Sequence, residues 1–166
     1  HAPLLVACNI NHIVEEVLNG FKQRELEIQN IEIRRHYGRD LPEVLVDPDQ
    51  VRQVLLNIIN NAGDAIKDSG AITISTDSDT DHARVNIKDT GQGMTSDQVK
   101  KVFDPFYTTK EVGKGTGLGL SVSMSIVKSM GGVIDVQSIP GVGSSFTVSF
   151  PIYRGERSQH GAEPGS

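Results

Sequence analysis

Ala71-Ile72-Thr73-Ile74-Ser75-Thr76 and Ala83-Arg84-Val85-Asn86-Ile87-Lys88 alternate apolar and polar side chains, with the polar run Asp77 to His82 between them. A period of two marks strands with one buried and one wet face, and a short polar link joins them as a hairpin. Val133 to Ser138 and Ser145 to Phe150 read as a second hairpin around Pro140-Gly141-Val142-Gly143. Upstream, Ile31-Glu32-Ile33 and the polar run to Tyr37 alternate in the same way, and Gly38 to Pro42 ends them. Helical patterns lie between the strands. Ile10, Ile13, Val14, Val17, Leu18 and Phe21 predict one helix to about Glu27, with Asn9 or Asn11 as cap. Asp47 before Pro48, with Gln50 placed for a capping box, opens another helix. Its apolar arc is Val51, Val54, Leu55, Ile58, Ile59, Ala62, Ala65 and Ile66, and Asp68 to Gly70 ends it. A short helix is expected over Ser96 to Val102 and a mostly buried one over Leu118 to Met130, closed by Gly131-Gly132. Interleaved helices with hairpin-joined strands predict an α/β (α+β) two-layer sandwich. Its mixed, mostly antiparallel sheet would be covered on one face by about three helices, rather than doubly wound.

The 166 residues are enough for one domain with a proper core. At 37% hydrophobic and 22% charged, the chain is too apolar for disorder. A net charge of -5 gives no basic footprint for duplex nucleic acid. Cys8 is the lone cysteine, so no internal disulfide framework exists and a reducing compartment fits. Neither a membrane-length apolar run nor a signal-peptide pattern is present. We expect a cytoplasmic fragment of a longer protein, which other segments could anchor to a membrane: residues 1–9 the remnant of a preceding helical segment, 10–153 the domain, 154–166 a disordered tail.

Three constellations could carry chemistry. At about 100° per residue, Asn57, Asn61 and Asp64 share one stripe beside the apolar arc. Asparagine is a poor helix former, so its repetition suggests oxygen ligands for a hard cation such as Mg²⁺, although a solvated polar face has the same pattern. In Val85-Asn86-Ile87-Lys88-Asp89-Thr90-Gly91-Gln92-Gly93-Met94, the alternation aims Asp89 at the apolar layer. A buried acid is costly unless something donates to it. The amino group of a base could donate, with glycines letting backbone approach the ring; alternatively, a turn acid bonds its own backbone. Finally, Gly113-Lys114-Gly115-Thr116-Gly117-Leu118-Gly119-Leu120 precedes a helix, where free amides and the dipole favour an anion. It lacks the Gly-Lys-Ser/Thr ending of a Walker loop, and a flexible linker is the plain alternative.

Taken in order, these stretches resemble the boxes of sensor histidine kinases, members of the GHKL superfamily. Asn57-x-x-x-Asn61-Ala62 resembles the N box and Asp89-x-Gly91-x-Gly93-Met94 the first glycine box. Phe103-Asp104-Pro105-Phe106 resembles the F box and Gly115-Thr116-Gly117-Leu118-Gly119-Leu120 the second glycine box. Phe106 to Lys110 with Gly113 to Gly115 is similar to the nitrogen-regulatory type, and the likeness runs from about Ile10 to Tyr153.

The resemblance implies an ATP-binding catalytic domain that transfers the γ-phosphoryl group. Asp89 would accept from the adenine amino group, and Asn61 with Asn57 would hold Mg²⁺. Pro105 to Thr116 would form a long mobile ATP lid, anchored through Phe103 and Phe106. Asn57, Asn61 and Lys110 take the catalytic roles. Asn61, Asp64, Asp89, Gly91, Gly93, Met94, Lys110, Lys114, Gly115, Thr116, Gly117, Leu118 and Gly119 would line the nucleotide, with Asp64 the weakest transfer. ATP hydrolases of the superfamily resemble this chain but place a basic glutamate where Asn57 stands. An amide activates no water, so transfer to an external nucleophile is expected. None of His1, His12, His36, His82 and His160 has acceptor surroundings. The acceptor histidine would lie on a dimerisation and phosphotransfer domain of the same parent chain, for relay to a response-regulator receiver domain. Neither nucleic acid nor direct membrane contact is expected. A GHKL-type ATPase and a nucleotide-sensing interaction module remain the alternatives.

Overall fold

The structure, a computed structural model, describes residues 3–105, 107 and 119–155. In chain order the elements are β1 (Val6–Cys8), α1 (Ile10–Leu18), α2 (Phe21–Ile28), β2 (Ile31–His36), β3 (Val44–Val46) and α3 (Pro48–Ala65). They continue with β4 (Gly70–Ser78), β5 (His82–Asp89), α4 (Ser96–Lys101), α5 (Gly119–Ser129), β6 (Val133–Ile139) and β7 (Gly143–Pro151). Five strands form one sheet in the order β2-β4-β5-β7-β6, and β1 pairs with β3 in a separate ribbon. Only the β2–β4 pairing of the large sheet is parallel, because the return from β2 to β4 passes through β3 and α3; the other pairings are antiparallel.

Alternation decides which face is covered. Ile72, Ile74, Ala83, Val85, Ile87, Phe146, Val148 and Phe150 are buried, and they join one core with residues of α1, α3 and α5. On the other face most side chains are polar and at least partly open to water, and Asn86 Nδ2 donates across it to Ser145 Oγ at 2.7 Å and Thr147 Oγ1 at 2.8 Å. The predicted two-layer sandwich is therefore the observed architecture.

Three local expectations are corrected. The helix predicted from Ile10 to about Glu27 is two helices, because Asn19 is extended and Gly20 has φ +64°. Phe21, assigned to the buried arc, is consequently 82% exposed, and α2 buries Leu26 instead. Residues 6–8, expected at the end of a helical segment, pair as a strand with Val44–Val46, a three-residue partner too short for its own periodicity to reveal. The capping box expected at Asp47 is half present. Its carboxylate accepts from the Asp49 and Gln50 amides at 3.0 and 3.3 Å, but its own amide donates to Met130 Sδ at 3.3 Å, not to Gln50. The full reciprocal box occurs on α4 instead, between Thr95 and Gln98.

Candidate functional site

α3 is the element that positions the site, and Asp47 anchors its start. Besides capping α3, this carboxylate accepts from the Leu4 amide at 3.0 Å, so the segment leading into β1 and the start of α3 share one anchor. The Leu4 amide foremost, with those of Gln50 and Asp49, holds the Asp47 carboxyl below its ordinary range against the opposing effect of desolvation. Further along α3, Asn57 and Asn61 are half-buried and Asp64 is exposed, as their shared stripe predicts. Asn60 faces elsewhere and accepts from Lys22 Nζ at 2.7 Å, tying α3 to α2.

Asp89 ends β5 on the covered face and is 3% exposed. Its Oδ1 accepts from the Gly91 amide at 2.8 Å and the Ser144 amide at 3.3 Å. No further bond to Asp89 exists among the described residues, and no buried polar side-chain atom there goes unpartnered, so Oδ2 meets solvent. Burial pushes the Asp89 carboxyl above its ordinary value, while the two amides pull it back. One oxygen of this acid thus closes a turn, and the other takes no hydrogen bond among the described residues.

The loop after Asp89 packs against backbone on both sides. Gln92 donates to the Ala65 carbonyl at the end of α3 (2.9 Å), and Gly141 donates to the Gln92 carbonyl (2.7 Å). A Cβ on Gly91 would sit 2.6 Å from the Ala65 oxygen, and one on Gly93, at φ +69°, only 2.1 Å from the Ile139 oxygen. Both glycines therefore allow close protein backbone contacts. The Met94 amide donates to Ser138 Oγ, which is 2.8 Å from Ser144 Oγ.

Asn57 meets the start of α5: its Nδ2 donates to the Gly119 carbonyl and to Ser123 Oγ, both at 3.2 Å. Asn57 and Asn61 accordingly lie along the second half of α3, the loop after Asp89 packs at the C-terminal end of that helix, and Gly119 opens α5 beside Asn57. Phe103 packs edge-on against Phe146, with centroids 6.4 Å apart. Phe106, Lys110, Lys114, Gly115, Thr116, Gly117 and Leu118 lie outside the described residues. Sequence reasoning missed Ser123, Ser138 and Ser144. Ser123 alone left a signal, as a serine four residues before Val127; the helix expected to be mostly buried buries only these two residues within α5. Among the described residues no cluster of three His, Cys, Asp or Glu could hold a metal, and no helix is long and apolar enough to cross a membrane.

Residues 46–154 match the family model described as histidine kinase-, DNA gyrase B-, and HSP90-like ATPase, and the chain belongs to that family. Within it, the chain is 39% identical over 149 residues to the sensor histidine kinase ZraS of Salmonella typhi, covering 89% of this chain and 31% of that protein. The nucleotide-free catalytic domain of histidine kinase ThkA superposes with a TM-score of 0.80 at 28% identity, covering 90% of this chain and 96% of that one. Full-length ShkA, solved in complex with AMPPNP, gives 0.81 at 26% identity, covering 92% of this chain and 32% of that one. The fold and domain type are those of a histidine-kinase ATPase domain, and the chain spans about a third of the curated relative's length.

Proposed function

We propose that this domain binds ATP with Mg²⁺ and transfers the γ-phosphoryl group to a histidine on another domain of its parent chain, for relay to a response-regulator aspartate. The observation that carries the reading is Asp89, a buried carboxylate with one oxygen saturated by backbone amides and the other left as an acceptor. An adenine amino group supplies the missing donor; the guanine carbonyl at the equivalent position would face it acceptor to acceptor. The AMPPNP bound to ShkA and the sensor-kinase relatives support the same reading.

The cation fits the donor set. Asn61 makes no side-chain hydrogen bond among the described residues, and Asn57 leaves its Oδ1 unpartnered. Amide oxygens on one helix face suit a hard cation that keeps most of its waters. When bound, Mg²⁺ would neutralise charge on the triphosphate. Asn57 and Asn61 would hold it, with Asp64 beside them. Asn57 turns an amide nitrogen toward α5 and has no basicity, so this chain's residues orient the triphosphate without activating water. Gly119 would present its amide to the phosphates, with Lys110, Lys114, Gly115, Thr116, Gly117 and Leu118 completing the enclosure, Lys110 in a catalytic role. We place the domain in the cytoplasm, without membrane or nucleic-acid contact of its own.

Incubation of the chain with radiolabelled ATP and Mg²⁺ tests this directly. Nucleotide binding without self-labelling is expected, and acid-labile label should appear on an added polypeptide that carries the parent's acceptor histidine. Steady phosphate release from the chain alone, abolished by Asn57→Ala, would instead assign hydrolysis.

A further inference from the structure

One polar side chain in the α3–α5 seam has no place in the site described so far. Ser123 is fully buried, where an unbonded hydroxyl would be costly. Its hydroxyl donates to the Gly119 carbonyl one turn earlier, at 2.8 Å, and accepts from Asn57 Nδ2 at 3.2 Å. The same nitrogen donates to the Gly119 carbonyl, also at 3.2 Å. The amide nitrogen is therefore committed to α5, facing two acceptors that lie 2.8 Å apart.

The partners dictate which way that amide points. A carbonyl oxygen can only accept, and the single Ser123 proton is already given to that carbonyl, so both groups turn lone pairs toward Asn57. Nδ2 must face α5 and Oδ1 must face away; the reversed amide would set oxygen against oxygen. Oδ1 has no hydrogen-bond partner among the described residues and is not fully buried. It belongs to the α3 stripe that also carries Asn61 one turn on. Had the seam needed only packing, an apolar residue at 123 would have served beside Val127 without a hydroxyl to satisfy.

We propose that Ser123 is a positioning residue for the phosphoryl-transfer site: it locks the Asn57 amide so that the carbonyl oxygen is presented to the cation-bound triphosphate, and it ties this asparagine to the first residue of α5. The proposal rests on the nucleotide reading above.

The test compares wild type, Ser123→Ala, Asn57→Ala and the double variant of this chain. In ligand-free NMR, the Asn57 side-chain NH₂ pair is identified by its loss in Asn57→Ala. In Ser123→Ala one of its protons should move upfield and exchange with water about fivefold faster, while the Asn61 pair stays in place. In calorimetric titration with ATP, Ser123→Ala should weaken binding about fivefold with Mg²⁺ and by less than about twofold in EDTA. In the Asn57→Ala background it should add nothing. Should Ser123→Ala unfold the chain, Ser123→Cys keeps the side-chain shape at slightly larger size with a weaker hydrogen bond, and the same pattern should appear in smaller measure. An unmoved Asn57 amide, an equal loss with and without Mg²⁺, or full additivity with Asn57→Ala overturns the proposal alone. A wild-type chain that binds no ATP overturns the nucleotide reading and this proposal together.

Discussion

At Asp89 one carboxylate oxygen takes both backbone bonds while the proposed function gives the other to adenine, and a single substitution distinguishes the two. Asn at this position can still accept from the Gly91 and Ser144 amides through its oxygen, but presents a nitrogen donor where Oδ2 stood. Asp89→Asn should therefore fold normally and lose at least tenfold in ATP affinity by calorimetry, about 1.4 kcal/mol. Stability should move the other way. Burial raises the folded-state pKa of Asp89, so ionising it costs more in the folded chain than in the unfolded one. That cost is absent below the unfolded carboxylate pKa and fully present above the folded one. The thermal midpoint of Asp89→Asn should accordingly exceed wild type by a margin that grows as pH rises through the carboxylate range; a margin that shrinks would contradict the raised pKa. The burial of Asp89 was legible because it continues the alternation of Val85 and Ile87. Its second backbone donor was not, since Ser144 is 55 residues away in sequence.

Among the elements, α3 was the most legible, for its cap, its apolar arc and its polar stripe are all local signals. The pair α1–α2 was the least legible. Periodicity carried the arc on to Phe21, whereas Gly20 at φ +64° turns the chain before Phe21 can reach the core. Left-handed backbone costs an L-residue about 1 kcal/mol or more, so Gly20→Ala should lower the unfolding free energy by about 1 kcal/mol in urea titration. An unchanged midpoint would mean that the two helices can fuse. The β1–β3 ribbon escaped the sequence for a different reason. Three residues on each side are too few for alternation to register, and the Leu4 amide that meets Asp47 beside them comes from 43 residues away in sequence.

Across the whole molecule, stability rests on one core between the covered face of the sheet and α1, α3 and α5. Phe150, fully buried in β7, is among its largest members. Phe150→Ala should cost about 3–5 kcal/mol, read as a shift of the urea midpoint with nearly unchanged slope, because a cavity forms that rigid neighbours cannot fill. The amino-acid sequence by itself determined the order and type of the main elements, the single-faced sheet, and the identity of Asn57, Asn61 and Asp89 as the residues to watch. These follow from periodicity, capping and side-chain chemistry, which act over a few neighbouring residues. Only the tertiary structure decided that β2 lies parallel to β4, that Gly91 and Gly93 face backbone, and that Ser123 holds the Asn57 amide. Alternation encodes which face of a strand is wet but not which strand will be its neighbour, and a buried hydroxyl acquires a role only when another helix is packed within hydrogen-bond reach.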